Sequence, residues 1–445
     1  MREKEFLPLV SERLGIGELN PMQRKMMATA SESRDIMLLS PTGSGKTLAF
    51  ILPMLKILRP SSGRVQAVVI APSRELVLQI GGIVGRIAPG FKTTVLYGGH
   101  KVEDEVNSLR AGTDIVVATP GRLLDHINRR NIDVLPTRLL VLDEFDKSLE
   151  LGFEKEMKKI RGRLRNVSRT ILTSATRADV LPDFLELADP VTIDFLGDNR
   201  ELRSRTRVHR VDSDANDKLD TLASLLLDLA ADTGGHERSI VFVNHRESAE
   251  RTAEYLRRRH IPAVLYHGAL DQRDREKAVA MFNNGSRPVL VATDLAARGL
   301  DIEGVRNVIH YHQPLTAETY THRNGRTARV NAEGDIFVLV GPREDVKDYI
   351  EFDDTRWPDP QKESHYAPRF ETVYFSAGRR EKLSRGDILG FLVKEGGADG
   401  KDIGRIDVFD HYALAAVDSR VARITVDAVK GRKIKGEKRI VSIIG

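Results

Sequence analysis

The chain contains two successive series of short apolar runs, and amphipathic stretches separate each run from the next. Continuous apolar strands that alternate with helices are typical of parallel sheets, because such strands are buried on both faces. Two such series therefore predict two α/β domains. The runs are 35–40, 67–71, 114–118, 139–143 and 170–173 in the first series, and 239–243, 263–266, 289–292, 307–310 and 335–340 in the second.

Polar segments divide the 445 residues into predicted domains. The stretch 196–205 has no core pattern, and 353–365 carries two prolines and little apolar surface, so both are predicted linkers. Beyond them the pattern reads β-α-β-β-α-β, and Ser384 and Asp387 have capping-box spacing at the start of its first helix. The predicted domains are 1–197, 205–352 and 368–445, the last a small α+β domain, with the second linker at 353–367.

Composition excludes several classes of protein. No run approaches about 18 consecutive apolar residues, so neither a membrane-spanning helix nor a membrane partner is expected. The charged first residues are not followed by an apolar stretch, so no secretory signal is predicted. Cysteine is absent, which excludes disulfides, thiolate catalysis and cysteine zinc sites and predicts a cytoplasmic location.

The net charge of +5 lies entirely in the last part of the chain, where residues 368–445 hold 16 Lys/Arg and 11 Asp/Glu. A small basic end on a neutral body indicates a module that binds a polyanion. A solvated basic surface without a partner would have the same charge, so charge alone leaves both interpretations open.

A glycine-rich segment at 40–47 follows the first apolar run and precedes a helical pattern. Its glycines let the backbone curl so that successive N–H groups face phosphate oxygens at a helix N-terminus. Lys46 would reach the β- and γ-phosphates, and the Thr47 hydroxyl would bind Mg²⁺. The strict G-x-x-x-x-G-K-T pattern fails at Ser40, so a glycine-rich turn without phosphate remains the alternative.

Two adjacent acidic residues, Asp143 and Glu144, follow the fourth apolar run. Strand C-termini share one crevice in an open parallel sheet, so Asp143 is expected to face the Mg²⁺ of the phosphate loop. Glu144 would orient and deprotonate a water for in-line attack. A charged strand end is the simpler alternative, but two acids after four apolar residues favour catalysis.

At this point the residues resemble a DEAD-box ATP-dependent RNA helicase, and the resemblance covers nearly the whole chain. The family's nucleotide loop is matched by 40–47, with Ser40 in place of the usual Ala. Its acidic signature is matched by 143–146, with Phe145 in place of Ala. The resemblance implies two tandem RecA-like parallel-sheet domains, followed by a small RRM-like α+β domain.

The family's adenine-reading motif is matched by Asn20-Pro-Met-Gln23, with Asn20 in place of Thr and Phe6 upstream. Gln23 can bond adenine N6 and N7 together, which implies a preference for ATP. The implied cofactors are ATP and Mg²⁺, with Thr47 and Asp143 as metal ligands. The implied nucleotide-binding residues are Phe6, Gln23, Thr42, Gly43, Ser44, Gly45, Lys46, Thr47 and Asp301.

Further segments resemble, in the family's order, motifs that bind RNA backbone and couple hydrolysis to strand separation. Glycine turns, arginines and hydroxyls bind phosphates and riboses without reading sequence, although each segment alone is more typical of an ordinary loop. The implied RNA-binding residues are Pro72, Arg74, Gly99, Thr119, Arg122, Gly268 and Thr293. The implied coupling residues are Asp146, Ser174, Thr176 and His322.

The segment 322–329 is the strongest match in the second domain, with Asn324 and Ala328 in place of Ile and Gly. If it is helical, residues 322, 326 and 329 share one face. Arg326 and Arg329 would then stabilise charge on the transferring phosphoryl as arginine fingers. An arginine-rich solvated helix is the alternative. The implied catalytic residues are Lys46, Asp143, Glu144, Arg326 and Arg329.

Acidic groups on one domain and arginines on the other imply that hydrolysis requires closure of the pair. ATP and RNA would both favour the closed state and therefore each other's binding. RNA clamped between the domains is expected to be bent single strand, so closure would separate local base pairs. The chain is thus predicted to be an RNA-stimulated ATPase that unwinds short duplexes.

The C-terminal strand order is that of an RNA-recognition fold, but 403–410 lacks the aromatic run with which ordinary members stack bases. It resembles the specificity domain of DbpA-type helicases, which implies that a hairpin of large-subunit ribosomal RNA and the pre-ribosomal large subunit are partners. The chain is expected to be a monomer. The implied contacts are Arg379, Arg380 and Arg405, with Gly378, Lys382, Tyr412, 430–433 and Lys435 as further candidates.

Two other functions remain open. A DNA-directed helicase would share the phosphate loop and the arginines, but the adenine reader and the RNA-type module speak against it. A nucleotide-gated RNA clamp with negligible hydrolysis would follow if Phe145 disturbs the acidic site.

Overall fold

The structure is a computed structural model that divides into two compact units, Met1–Leu202 and Arg203–Gly445. It describes residues 3–41, 43–99, 102–177, 181–196, 205–233, 235–294, 302, 304–327, 333–359 and 365–444, without the side chains of 3–6 and 232. Among the predicted site residues, those outside this description are Thr42, Asp301, Arg329 and the side chain of Phe6.

The first unit has a parallel sheet with the strand order β3-β4-β2-β5-β6-β1-β7 in its described residues. The strands are β1 (Asp35–Leu39), β2 (Ala67–Ile70), β3 (Thr93–Leu96), β4 (Ile115–Ala118), β5 (Leu139–Leu142), β6 (Arg169–Ser174) and β7 (Val191–Asp194). The helices are α1 (Glu3–Leu14), α2 (Pro21–Glu32), α3 (Lys46–Ile57), α4 (Arg74–Ile87), α5 (Val102–Arg110), α6 (Pro120–Asn128), α7 (Phe145–Glu150) and α8 (Glu154–Arg163), with a 3₁₀ turn at Asp183–Leu185.

Burial on both faces explains why the central strands are apolar throughout. Successive residues of a strand point to opposite faces of its sheet. In β2, Ala67 and Val69 belong to one apolar cluster, while Val68 and Ile70 belong to another. Because the strands are parallel, the loops after β1, β2, β4, β5 and β6 all leave the sheet at its carboxyl edge, where the predicted motifs lie.

The second unit repeats the arrangement, with parallel strands in the order β10-β11-β9-β12-β13-β8-β14. The strands are β8 (Thr206–Asp212), β9 (Arg238–Val243), β10 (Ala263–Tyr266), β11 (Val289–Thr293), β12 (Val305–His310), β13 (Gly334–Val340) and β14 (Asp354–Thr355). The helices described here are α9 (Leu219–Thr233), α10 (Arg246–Arg258), α11 (Gln272–Asn283) and α12 (Ala317–Asn324).

The same unit ends in a small antiparallel sheet with the order β16-β17-β15-β20. Its elements are β15 (Phe370–Phe375), α13 (Arg385–Lys394), a 3₁₀ turn (Gly400–Asp402), β16 (Ile403–Val408), β17 (Ala413–Asp418), α14 (Ala422–Val429), β18 (Lys433–Ile434), β19 (Glu437–Lys438) and β20 (Val441–Ile444). Ser384 caps α13 through a capping box with Asp387, as predicted. One face of this sheet packs against α13 and α14 through residues such as Val373 and Phe375.

The predicted fold class is confirmed: two parallel-sheet domains precede a small α+β domain. Six strands, β3, β7, β8, β14, β18 and β19, were not predicted. They carry polar residues, since β7 is mostly exposed and β8 alternates polar with apolar residues. Asp354–Thr355 lies within the predicted linker and pairs with β8.

Candidate functional site

The glycine-rich segment 40–47 joins β1 to α3 at the carboxyl edge of the first sheet. Gly43 and Gly45 have φ angles of +83° and +90°, in the left-handed region that favours glycine. A side chain at Gly45 would also meet the Gln23 amide nitrogen at 2.7 Å. Backbone conformation and close packing therefore both require glycine at position 45.

Ser40, the departure from the strict loop pattern, stabilises the loop from within. Its hydroxyl donates to Ser44 Oγ at 2.7 Å, and the Ser44 hydroxyl donates to the Pro41 carbonyl oxygen at 2.8 Å. Its N–H donates to the Ser174 carbonyl oxygen at 3.0 Å. A buried serine thus connects the loop to the end of β6.

Lys46 is the first residue of α3 and is buried. Its ammonium group donates to the carbonyl oxygens of Ser40 at 2.7 Å and Pro41 at 3.3 Å. Phosphate oxygens are charged acceptors and make stronger hydrogen bonds than carbonyls. Lys46 therefore lies at the loop, where its ammonium group would exchange these carbonyl oxygens for the phosphate oxygens of a bound triphosphate. Thr47, the next residue of α3, is half-buried.

The predicted adenine reader lies against the loop. Asn20 caps α2 and forms a capping box with Gln23, whose N–H donates to Asn20 Oδ1 at 2.9 Å. The Asn20 amide nitrogen donates to the Ser44 carbonyl oxygen at 2.9 Å, and that of Gln23 donates to the Gly45 carbonyl oxygen at 3.3 Å. An asparagine in place of threonine therefore joins the start of α2 to the phosphate loop through a side-chain amide.

Asp143 and Glu144 follow β5 and are fixed by one hydroxyl. Thr173 Oγ1 donates to Asp143 Oδ1 at 2.5 Å and accepts from the Glu144 N–H at 3.1 Å. Burial, reinforced by the negative charge of Glu144, raises the pKa of Asp143 to about 6, although Thr173 and Lys46 act in the opposite direction. Thr173, which the sequence analysis did not single out, therefore orients the acidic pair.

The residues at this edge fit a magnesium ion. A buried carboxylate whose pKa is raised by burial is stabilised in its charged form by a cation, and Asp143 is 3% exposed. Carboxylate and hydroxyl oxygens are hard ligands of the kind that Mg²⁺ takes in nucleotide sites. Asp143 and Thr47 supply one of each.

Phe145 does not disturb the carboxylates. It is 2% exposed and packs in an apolar cluster with Leu142, Met157 and Leu172. Glu144, the residue before it, has a φ of +46°, a strained conformation for a residue other than glycine. The backbone turn at Glu144 sends the aromatic ring into the core, while Asp143 keeps its bond to Thr173.

The predicted coupling residues of the first unit form one hydrogen-bonded group. Asp146 Oδ2 accepts from the Ala175 N–H and from Thr176 Oγ1, both at 3.0 Å. The Ser174 hydroxyl donates to the Thr176 carbonyl oxygen at 2.6 Å. The end of β6 is thus joined to α7 through Asp146 and to the phosphate loop through Ser40.

Three predicted RNA-backbone segments of the first unit lie close together. Pro72 precedes α4, and Arg74, its first residue, stacks over the Tyr97 ring at 4.5 Å. The guanidinium group of Arg74 donates to the Gly98 carbonyl oxygen at 3.4 Å. Gly99 has a φ of +94°, and a side chain there would meet Arg74 Nη1 at 2.7 Å.

The third of these segments begins α6. Thr119 is the N-terminal cap of that helix, and Arg122 lies in its first turn. Arg122 Nε donates to Glu105 Oε2 at 2.5 Å, and His126 Nε2 contacts the same oxygen at 2.7 Å. Glu105 and Tyr97 were not predicted as site residues, because acidic and aromatic residues next to a turn carry no pattern of their own.

Gly268 and Thr293 lie at the carboxyl edge of the second sheet. Gly268 follows β10 by two residues, Thr293 is the last residue of β11, and the two strands are paired. The structure therefore brings these two predicted RNA-binding positions to one edge.

The helical face considered for 322–329 ends at Asn324, and of the remaining residues only Gly325, Arg326 and Thr327 lie within the described part of the chain. Helix α12 ends at Asn324, where Gly325 caps it. The Thr327 hydroxyl donates to the carbonyl oxygens of Val305 and Arg306 at 2.9 and 2.8 Å, which directs the chain towards the sheet. Arg326 therefore lies after the helix and is 4% exposed, while His322 lies in its last turn and is also buried.

Arg323, which the sequence analysis did not select, is a buried arginine with several hydrogen-bond partners. It forms a two-pronged ion pair with Asp294 at 2.5 and 2.8 Å. It also donates to Asn244 Oδ1 and to the His312 carbonyl oxygen, both at 2.7 Å. It therefore holds together the loops that follow β9, β11 and β12. The neighbouring Asn324 accepts a hydrogen bond through its Oδ1 from the His310 Nε2–H at 2.8 Å. This amide therefore joins a buried polar cluster at the position where isoleucine is usual.

The three arginines implied as RNA contacts of the C-terminal domain are exposed. Arg379 and Arg380 follow β15 in a turn that approaches the next loop closely, because a side chain at Gly378 would meet the Phe409 carbonyl oxygen at 2.2 Å. Arg405 lies on β16, where its Nε donates to Asp407 at 3.0 Å. Basic residues of the β18–β19 hairpin join this surface, since Lys435 Nζ donates to the Lys382 carbonyl oxygen at 2.9 Å.

The second face of the small sheet is covered by α11 of the same unit. Thr372 Oγ1 accepts from the Asn284 amide at 2.9 Å and lies 2.6 Å from Ser286 Oγ. Leu414 packs against Ala280 in an apolar cluster. This is the face on which RNA-recognition folds ordinarily stack bases, and here protein occupies it.

Tyr412 was predicted as a candidate RNA contact, but the structure places it in contact with α11 instead. It is 5% exposed, stacks on Phe409 at 4.5 Å, and donates its hydroxyl to Glu276 Oε2 at 2.9 Å. Arg273 lies over the Tyr412 ring at 5.2 Å. Burial and the charge of Glu276 raise the pKa of the tyrosine hydroxyl well above its usual value. Tyr412 therefore attaches the C-terminal domain to α11.

None of the helices in the described ranges combines the length and the apolar character that crossing a bilayer requires.

Comparison with known families gives three adjoining matches. The family described as DEAD/DEAH box helicase matches residues 20–184, and the helicase conserved C-terminal domain matches residues 217–331. The DbpA RNA binding domain matches residues 372–443.

Similar proteins and solved structures cover most of the chain. It is 32% identical to the ATP-dependent RNA helicase DbpA of Escherichia coli strain K12, over 95% of this chain and 94% of that protein. It is 35% identical to the DEAD-box ATP-dependent RNA helicase CshA of Bacillus subtilis strain 168, over 75% of this chain and 67% of that protein. Mss116p bound to ssRNA and AMP-PNP has a TM-score of 0.66 and 25% identity, over 77% of this chain and 73% of that one. Dbp5 of S. cerevisiae bound to RNA and ADP BeF3 has a TM-score of 0.68 and 23% identity, over 80% and 94%, and shows the fold alone.

Proposed function

We propose a function on the premise that this chain belongs to the DEAD-box family of ATP-dependent RNA helicases, which are ATP-hydrolysing enzymes. Within that family, we propose RNA-stimulated ATP hydrolysis coupled to local unwinding of large-subunit ribosomal RNA during ribosome assembly. The observation that carries the choice of RNA is the match of residues 372–443 to the DbpA RNA binding domain, whose basic turn at Arg379 and Arg380 is exposed.

In the first unit, the phosphate loop and the acidic pair divide the chemistry. The loop N–H groups and Lys46 bind the β- and γ-phosphates, and Gln23 with Phe6 reads adenine. Glu144 orients the attacking water and accepts its proton. Asp143 and Thr47 would hold Mg²⁺, which when bound neutralises charge on the phosphates. The Thr173 hydroxyl orients the Asp143 carboxylate and holds the backbone that carries Glu144, because it donates to the first and accepts from the N–H of the second.

In the second unit, Arg326 and Arg329 stabilise charge on the transferring phosphoryl, and Asp301 binds the ribose. Arg323 supports them by fixing the neighbouring loops through Asp294 and Asn244. Because the acidic groups and the arginines belong to different units, hydrolysis requires both to reach one nucleotide. RNA that favours this arrangement must also favour ATP binding.

Coupling of hydrolysis to RNA is proposed to pass through Asp146 and its partners. Asp146 joins α7, which follows the acidic pair, to the Ser174–Thr176 segment. Ser174 in turn contacts Ser40 of the phosphate loop. A change at the phosphates therefore reaches the end of β6 through a continuous chain of hydrogen bonds.

The C-terminal domain is proposed to deliver the enzyme to one RNA hairpin, with the whole chain acting as a cytoplasmic monomer of domains 1–197, 205–352 and 368–445. Its basic turn and hairpin set affinity and salt dependence, because each phosphate contact releases counterions. The sheet face does not take part, because α11 covers it.

Phe145 gives no support to the clamp alternative, because its ring lies in the core, the Asp143 carboxylate keeps its bond to Thr173, and the Glu144 N–H keeps its bond to the same hydroxyl. The DNA-directed alternative has no specific observation in its favour.

A panel of ribosomal RNA fragments tests the proposal. With the full chain, one large-subunit hairpin should stimulate ATP hydrolysis at a far lower concentration than unrelated RNA or DNA. The double variant Arg379→Ala/Arg380→Ala should lose this preference. A matched control, Lys394→Ala/Arg423→Ala, removes the same charge from exposed positions on α13 and α14 and should retain it. Equal stimulation of the wild-type enzyme by every RNA would overturn the ribosomal assignment.

A further inference from the structure

The three predicted RNA-backbone segments of the first unit are joined through a pair of residues that belong to none of their motifs. Tyr97 lies just before Gly98 and Gly99, and its ring carries the Arg74 guanidinium at 4.5 Å. The Tyr97 N–H donates to Glu105 Oε1 at 2.9 Å. Glu105 is therefore hydrogen-bonded to the backbone of the segment that contains Gly99. The Tyr97 ring of the same segment contacts the Arg74 guanidinium.

The second carboxylate oxygen of Glu105 meets the third segment. Arg122 Nε donates to Oε2 at 2.5 Å, and His126 Nε2 contacts Oε2 at 2.7 Å, one helical turn further along α6. Asn131 Nδ2 lies 3.1 Å from His126 Nδ1 and fixes the other side of the imidazole ring. One carboxylate thus bonds to the loop that follows β3 and to helix α6, which follows the neighbouring strand β4.

The burial of Glu105 makes this arrangement stiff. Glu105 is 3% exposed and His126 is fully buried, while the Arg122 side chain is 13% exposed. Burial raises the pKa of Glu105, but the bonds from His126, the Tyr97 N–H and Arg122 outweigh it and hold the pKa below its usual value. A charged buried carboxylate with all its partners in place cannot rotate without losing charge-assisted bonds.

We propose that Glu105 is a positioning residue for RNA binding, which holds the Arg122 side chain and the Tyr97–Gly99 backbone at a fixed spacing before RNA arrives. The inference rests on the proposed function, because it takes Arg122 and Gly99 as contacts to RNA phosphates. Groups that are already ordered lose less conformational freedom when they bind, so affinity rises without any new contact to the ligand. Glu105 itself touches no RNA in this account.

The same unit offers a matched control in Asp114, which precedes β4 at the end of the strand opposite to Thr119. Asp114 is also a fully buried carboxylate, and it accepts from Ser61 Oγ at 2.7 Å and from the Lys92 N–H at 2.9 Å. These bonds hold its pKa below the usual value, as at Glu105. Loss of Asp114 therefore removes a comparable buried carboxylate without touching the RNA segments.

The experiment compares Glu105→Ala, Glu105→Gln and Asp114→Asn in the full chain. The readouts are the RNA concentration for half-maximal ATPase stimulation, the KM for ATP, kcat at saturating RNA, and the melting temperature. Glu105→Ala should raise the RNA concentration about tenfold, with the KM for ATP and kcat near wild type. Glu105→Gln keeps an acceptor for the Tyr97 N–H but not the charge for Arg122, so its effect should be smaller. Asp114→Asn should lower the melting temperature and leave the RNA concentration unchanged.

A double variant separates positioning from general stability. If Glu105 acts through Arg122, then Glu105→Ala should add little to the effect of Arg122→Ala, since the positioned group is already gone. Full additivity, or an unchanged RNA requirement in Glu105→Ala while Arg122→Ala weakens RNA binding, would overturn the positioning role and leave the proposed function intact. An unchanged RNA requirement in Arg122→Ala would instead refute the RNA role of that segment, and the inference with it.

Discussion

Replacing Phe145 with alanine separates the folding role of this side chain from any effect on catalysis. The ring is 2% exposed and packs with Leu142, Met157 and Leu172, so truncation leaves a cavity in the first unit. Phe-to-Ala changes in cores cost about 3–5 kcal/mol, because transfer free energy and cavity cost add. For a unit of this size that corresponds to a fall of roughly 6–20 °C in melting temperature.

Catalysis should respond differently. The bonds that fix Asp143 and Glu144 come from the Thr173 hydroxyl, which Phe145 does not provide. At a temperature where the variant is fully folded, the single-turnover rate of ATP hydrolysis with saturating RNA should therefore stay within a few-fold of wild type, since no catalytic group has moved. The assays are thermal unfolding followed by circular dichroism and single-turnover hydrolysis at 10–15 °C below the midpoint, an operating range set by the unfolding curve.

Two results would refute this reasoning. A melting temperature that does not fall would mean that the ring is not in the core. A variant that hydrolyses ATP much faster than wild type would mean that Phe145 does hold the site in an inactive form, as the clamp alternative requires. Phe145→Leu serves as the control, because it keeps most of the buried volume and should lose much less stability.

Three further predictions address the acidic pair, a buried histidine and the covered sheet face. Glu144→Gln should lower the single-turnover rate about 10²–10⁴-fold while ATP still binds, because a general base is lost, and a wild-type rate equal to that of the variant would contradict the assignment. His209 lies between Asp335 at 3.1 Å and Asp354 at 2.6 Å, and these bonds outweigh burial and raise the pKa of the imidazole. The protonated histidine should therefore stabilise the second unit fully below about pH 6.5, the usual pKa of histidine in an unfolded chain. This stabilisation should be lost as the pH rises through the higher pKa of the folded state. Urea unfolding across this range should show the loss in wild type but not in His209→Asn, and parallel curves would rule out the effect. Thr372→Val should lower the unfolding free energy of the second unit by about 1–3 kcal/mol, because the buried side chains of Asn284 and Ser286 lose their hydroxyl partner. An unchanged urea midpoint would contradict the interface between the small sheet and α11.

The buried centre of the fold was predictable because parallel strands covered on both faces must be apolar. Runs such as 67–71 and 289–292 therefore appear as strands with boundaries shifted by about one residue. The edge strands β7 and β14 are mostly exposed and pair on one side only, and they show no such run. A continuous apolar run in the sequence indicates a strand that is buried on both faces, so strands that are exposed on one face lack such a run.

The candidate site was predictable where its residues are fixed by backbone chemistry. Gly45 must adopt a positive φ, so it appears in a recognisable loop pattern. Thr173, Glu105 and Arg323 act by hydrogen bonds across the fold, and the partners described for them lie 8 to 79 positions away along the chain. Such pairs have no local periodicity, and only the folded chain reveals them.

The attachment of the last domain has a consequence for protein engineering. Its sheet presents Tyr412, Leu414 and Thr372 to α11, so residues 368–445 are not a self-contained cassette. If residues 368–445 were fused to another helicase core, this sheet face would be exposed to solvent as an apolar surface with unsatisfied polar groups. A working fusion would therefore have to include α11. A chimaera that begins at residue 368 is expected to aggregate, so it would not show which RNA the domain prefers.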